Sequence, residues 1–110
     1  GKLVTAEELI QVYETNIRVL QVHAKEQSID DAEYIRVVRV LIETAETSLA
    51  EIGQSDEKIE TAAWKLAEFA KDLYVRFCLE QNPEIANKED YAEESGELFD
   101  YVLFHGTYPN

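Results

Sequence analysis

The residues of this chain that could carry a proton, hold a metal or attack an electrophile are few: two histidines, His23 and His105, and one cysteine, Cys78. His23 stands near the end of a helical pattern with Glu26 three residues on. Such a pair could share a metal ion, but a carboxylate-bridged di-metal bundle takes Glu-x-x-His motifs from two helices plus two further glutamates. The sequence contains no Glu-x-x-His. The expectation is therefore no metal site, with His23 a boundary residue whose ring partly packs. His105 falls in a last helical turn, where an imidazolium would meet the negative end of the helix dipole. Cys78 has no cysteine or histidine at an activating spacing and reads as a small, buried or half-buried hydrophobe. There is no glycine-rich phosphate loop, no Gly-x-Ser-x-Gly elbow and no His-Glu-x-x-His. The residues predict no catalytic group and no cofactor. An enzyme using His23 with nearby carboxylates is the minority reading.

Carboxylates, by contrast, are abundant. The 110 residues hold 23 Asp and Glu against 10 Lys and Arg, a formal net charge of -13. A charge of that size opposes direct binding to nucleic acid or to an anionic membrane surface and selects neutral or basic partners. The acidity is concentrated: Glu84, Glu89, Asp90, Glu93, Glu94, Glu97 and Asp100 share their stretch with Lys88 alone. On a helix, Glu89, Glu93, Glu97 and Asp100 fall along one side at spacings of three and four. Like charges so placed cost a few tenths of a kcal/mol per pair in an isolated helix. A basic partner would relieve that repulsion and would be steered in by the same field. The row could also imitate phosphates, as an inhibitor, an immunity protein or a nucleic-acid mimic of bacterial or phage type would against a toxin or a nucleic-acid-binding protein. The competing reading is a solvated face that keeps the protein soluble.

The elements that must position these residues are helical. The fold class expected is all-α, a single domain over residues 1–110 built as an antiparallel four-helix bundle, with helices at about 5–27, 29–52, 56–81 and 88–105. Thr5 with Glu8 forms a capping box, and Leu9, Tyr13, Ile17, Leu20 and Ala24 make the first core stripe. Ser28 with Asp31 reads as a second capping box, followed by Tyr34, Val38, Leu41, Ala45, Leu49 and Ile52, with Gly53 as the stop. Ser55 opens the third helix, whose stripe is Ile59, Ala63, Leu66, Ala70, Leu73 and Phe77, and Asn82-Pro83 ends it. The fourth has Tyr91, Ser95, Leu98 and Val102 in register but is interrupted by Gly96. Because "FDYVLF" is rich in residues that strands favour, the runner-up architecture is three helices plus a C-terminal strand.

Two features stand outside these stripes. Trp64 falls roughly opposite its helix's own core face, beside Lys71 and Val75, so it marks either a contact with another chain or a site covered by the fourth helix or the tail "GTYPN". In Glu97–Gly106, neither helical nor strand geometry leaves a solvent side. Phe99, Leu103 and Phe104 point away from the Leu98 and Val102 face, and a segment apolar all round is normally buried all round. A homodimer formed through these side chains is the expected alternative to a purely monomeric binding protein. One cysteine excludes an internal disulfide, no run approaches a membrane span, and the opening "GKLVTAEEL" lacks a signal peptide's apolar core. A cytoplasmic setting is the expectation.

Overall fold

The Thr5 hydroxyl accepts the Glu8 amide at 3.1 Å and starts a helix where the capping box places it. In the computed structural model, which describes residues 4–110, four helices follow in order: α1 (Ala6–Gln27), α2 (Asp31–Glu51), α3 (Asp56–Gln81) and α4 (Lys88–His105). The first three residues of the opening stretch lie outside the described region. Ser55 caps α3 through the Lys58 amide, and Asn87 caps α4 through the Asp90 amide. Gly106 ends α4 in the left-handed region at φ 77, its N–H bonded to the Val102 carbonyl at 2.7 Å. The segment with strand-like composition is therefore helix through His105, and the described residues contain no strand.

The start of α2 differs from expectation. Ser28 is the left-handed cap of α1 (φ 53, ψ 46), its amide bonded to the Ala24 carbonyl, and the N-cap of α2 is Asp30. With so short a link, α1 must be closed before α2 can open. One residue cannot hold both the left-handed and the extended backbone that those jobs need. Asp30 Oδ1 accepts the Ala32 amide at 2.7 Å instead.

Residue contacts set the topology. Tyr13 reaches Ser48, Gln21 donates to the Leu73 carbonyl, and Lys71 meets Asp100. Hence α1 runs antiparallel to α2 and alongside α3, and α4 runs back against α3. α2 and α3 pack on each other and on both remaining helices, while α1 and α4 do not meet. The bundle is thus flattened, with α1 and α4 on opposite sides of a central α2–α3 pair. Buried Ala45, Ala62 and Ala70 allow that pair its close approach.

A helix touched by three neighbours buries more than one stripe. On α2, Ala32, Ile35 and Ile42 join Tyr34, Val38, Ala45 and Leu49 inside; on α3 the buried set is Ala62, Leu66, Ala70, Tyr74 and Cys78. Ala63, Leu73 and Phe77, expected in the core stripe, form its half-buried margin. On α4 the central face is Ser95, Phe99 and Val102, flanked by Tyr91, Leu98 and Leu103. Phe99 is fully buried, the largest side chain to be so, with its ring 5.8 Å from Tyr74, which stacks on Tyr34 at 6.3 Å. This corrects the expectation that Phe99 points away from its own bundle. At this position the ring packs against Tyr74 and removes apolar area from water.

Two substitutions separate core from surface on α4. Phe99→Ala is expected to cost about 3–5 kcal/mol in urea denaturation, whereas Phe104→Ala, at a site 76% exposed, should change stability by no more than about 0.5 kcal/mol. A Cβ added at Gly96 would lie 3.6 Å from Lys71 Cδ and 3.9 Å from Val75 Cγ2, ordinary contact distances. Gly96→Ala should therefore stabilise the helix by about 0.5–1 kcal/mol in the same assay.

Candidate functional site

The acidic stretch lies along α4, except for Glu84, which stands in the link before it. Glu84, Glu89, Glu93, Glu94 and Glu97 are exposed and form no ion pair among the described residues. Two members of the predicted set are engaged internally. Asp90 accepts the Asn87 side-chain amide at 2.9 Å while its own N–H goes to Asn87 Oδ1, a reciprocal cap at the helix start. Asp100 accepts from Lys71 Nζ at 3.2 Å, and Lys71 also reaches Glu68 at 3.1 Å. Partial burial works against the Lys71 charge, but the two carboxylates outweigh it and raise its pKa. Between α3 and α4 lies an open groove of about 450 Å³ lined by Glu68, Lys71, Asp72, Glu93, Glu97 and Asp100. Glu68 and Asp72 were not in the predicted set. They come from another helix, and only the α3–α4 pairing brings them beside Glu93 and Glu97. Asp72 is paired with Arg76 at 2.8 Å.

A second groove, of about 350 Å³, lies where α4 ends. Ile42, Ala63, Trp64, Ala67, Leu103 and Phe104 form its apolar surface, and Glu43, Glu46 and Glu60 with Arg39 form its rim. Trp64 is 66% and Phe104 76% exposed, while Leu103 is half-buried against the core. The sequence grouping of Trp64 with Lys71 and Val75 is corrected: Val75 and Lys71 line the acidic groove, and Trp64 lines the other with Phe104. Of the expected interface set, the fold leaves Trp64 and Phe104 on the surface and removes Phe99 from it.

The tail does not cover Trp64. Tyr108 instead reaches the start of α2, its hydroxyl donating to Asp30 Oδ1 at 3.0 Å and accepting the Ala32 amide at 3.2 Å. Arg36 adds a hydrogen bond to the Gly106 carbonyl at 3.1 Å. These contacts tie the end of α4 to α2 and hold Phe104 at the groove.

The remaining chemical candidates lie apart from one another. His23 is exposed rather than packed at a boundary. His105 is exposed too, its ring 4.1 Å from that of Tyr101. Cys78 is buried, and desolvation pushes its thiol pKa up despite hydrogen bonds with Tyr74 and Ser95. A small cavity beside Asp31, Tyr34 and Tyr74 has a volume of about 20 Å³, the size of one water molecule and too small for a substrate. Among the described residues no three His, Cys, Asp or Glu side chains are grouped to hold a metal ion. No helix there is long and apolar enough to cross a membrane.

The tail contact predicts a pH signature. The Ala32 amide and then the Tyr108 hydroxyl hold the Asp30 carboxyl below its usual value. A depressed carboxyl favours the folded state above the unfolded pKa of about 3.9, and that contribution disappears as pH falls through the lower folded value. Tyr108→Phe should move the Asp30 pKa upward in an NMR titration, and the stability gap between wild type and variant should be present at neutral pH and narrow below about pH 4. No protein-family model matches the chain, and no curated protein or solved structure matches it.

Proposed function

We propose that the protein is a non-enzymatic binding protein that captures a basic macromolecular partner through the acidic face of α4. The partner would be a toxin or a nucleic-acid-binding protein, and the action that of an inhibitor, an immunity protein or a nucleic-acid mimic. One observation carries the reading. Among the described residues, five exposed carboxylates, Glu84 in the link before α4 and Glu89, Glu93, Glu94 and Glu97 on it, form no ion pair, although six ion pairs form elsewhere and on the groove wall. Neighbours along the row lie about 5–6 Å apart and repel. A basic surface laid against them would turn that repulsion into attraction and would associate quickly under electrostatic steering. Lys71 supports the arrangement from beneath, because it ties Asp100 on α4 to Glu68 on α3.

The test uses a partner captured on the immobilised protein at low salt. Its affinity should fall by about tenfold or more for Glu93→Lys with Glu97→Lys, with the helical circular dichroism unchanged. The same reversal on α1, Glu7→Lys with Glu26→Lys, should have little effect. Wild-type affinity should also fall as salt shortens the screening length to about 8 Å near physiological ionic strength. Binding that ignores both salt and the α4 reversal would overturn the reading.

A further inference from the structure

α3 has 26 residues and α4 only 18, a difference of about 12 Å along the axis at 1.5 Å per residue. α4 starts close to the end of α3, where Asn82 meets Tyr91, so the shortfall is at the other end. Leu103 and Phe104 stop beside Ala63 and Ala67, and beyond them α2 and α3 run on side by side with no fourth helix between them. On the opposite side α1 reaches the same end of the pair, where Ala6 and Ile10 line an opening of about 370 Å³ together with Leu49 and Ala62. The bundle therefore carries an open groove of about 350 Å³ beside the end of α4, lined by Ile42, Ala63, Trp64, Ala67, Leu103 and Phe104.

We propose that this groove seats an amphipathic helix of a basic partner, which continues the line of α4 with its large apolar residues against Trp64, Phe104 and Ile42. An aromatic pair left in water at a groove end is the kind of anchor that dominates interface energetics. A helix laid between two others is the standard way to fill such a channel. Charge selects the occupant. The rim holds Glu43, Glu46 and Glu60 against Arg39 alone, and Arg39 is already paired with Glu43 at 3.2 Å. Lys or Arg flanking the apolar face of the incoming helix would meet Glu46 and Glu60, which form no ion pair among the described residues. A second copy of this chain is a poor occupant, because it would bring the same glutamates of another -13 molecule against this rim. The inference rests on reading the chain as a binding protein for basic partners, but not on the acidic face of α4.

Trp64 is the chain's single tryptophan and reports on the groove directly. The probe is an amphipathic Leu/Lys peptide of about 18 residues, long enough to be helical, titrated into the full chain while Trp64 emission and acrylamide quenching are followed. Emission should shift to the blue and quenching should fall. A Leu/Glu peptide or a scrambled Leu/Lys peptide should produce neither change. Phe104→Asp, and separately Glu46→Lys with Glu60→Lys, should each weaken the response by about tenfold or more, while Glu93→Lys with Glu97→Lys should leave it within about twofold. A wild-type Trp64 that does not respond, or responds equally in Phe104→Asp, overturns the proposal. So does a wild type that sediments as a dimer with Trp64 already shielded from acrylamide. A partner whose binding needs Glu93 and Glu97 but leaves Trp64 unchanged would overturn this inference alone. One that shields Trp64 regardless of that reversal would instead overturn the assignment of the α4 face.

Discussion

The rest of this bundle depends on the pairing of α2 with α3. Both α1 and α4 touch α2 and α3 but not each other, so the interior is shared out across the two faces of that pair rather than closed as a ring. One face takes Ile17 of α1, and the other takes Phe99 and Val102 of α4, all fully buried. The stack from Tyr34 through Tyr74 to Phe99 crosses from α2 to α3 to α4 and links the central pair to the outer helix. Aromatic groups of this size bury about 150–250 Å² each, so the apolar interior dominates stability. The surface ion pairs contribute little by comparison, about 0.2–1 kcal/mol each where exposed.

That arrangement also governs the distribution of charge. Several cations bind helices to one another or hold the tail: Lys25 reaches Glu80 across α1 and α3, Lys71 ties α3 to α4, and Arg36 holds the tail. Arg18 and Lys25 lie over the rings of Phe69 and Phe77. Lys88 is the one Lys or Arg on α4, and Glu89, Glu93, Glu94 and Glu97 form no ion pair among the described residues. The two grooves follow from the same geometry. One forms where α4 lies against α3 and brings acids of both helices together; the other forms where α4 stops short of the central pair. The chemistry of the surface is thus a by-product of how long each helix is and what it leans on.

Much of this was legible from local patterns. Capping at Thr5 and Ser55, the stop at Gly53, and the outward position of Trp64 all follow from interactions within a few residues, which the chain order displays directly. Ser28 was ambiguous for the same reason: it satisfies the pattern of a starting cap, and only the need to close α1 in so short a link assigns it to the preceding helix. Phe99 was harder. In a segment where Leu98, Phe99, Val102, Leu103 and Phe104 are all apolar, helical periodicity offers several inward faces, and none is preferred until the neighbouring helices define a cavity of a particular shape.

The amino-acid sequence by itself determined four helices, their approximate limits and an acidity concentrated on the last of them, because capping, periodicity and net charge are set by residues close along the chain. Only the tertiary structure decided which face of α4 turns inward and that Glu68 and Asp72 stand beside Glu93 and Glu97. It also decided that Trp64 shares a groove with Phe104 rather than with Val75. Those outcomes depend on the register and relative length of helices distant in the chain, and helix packing, unlike helix formation, is resolved by shape complementarity among surfaces that no local pattern records.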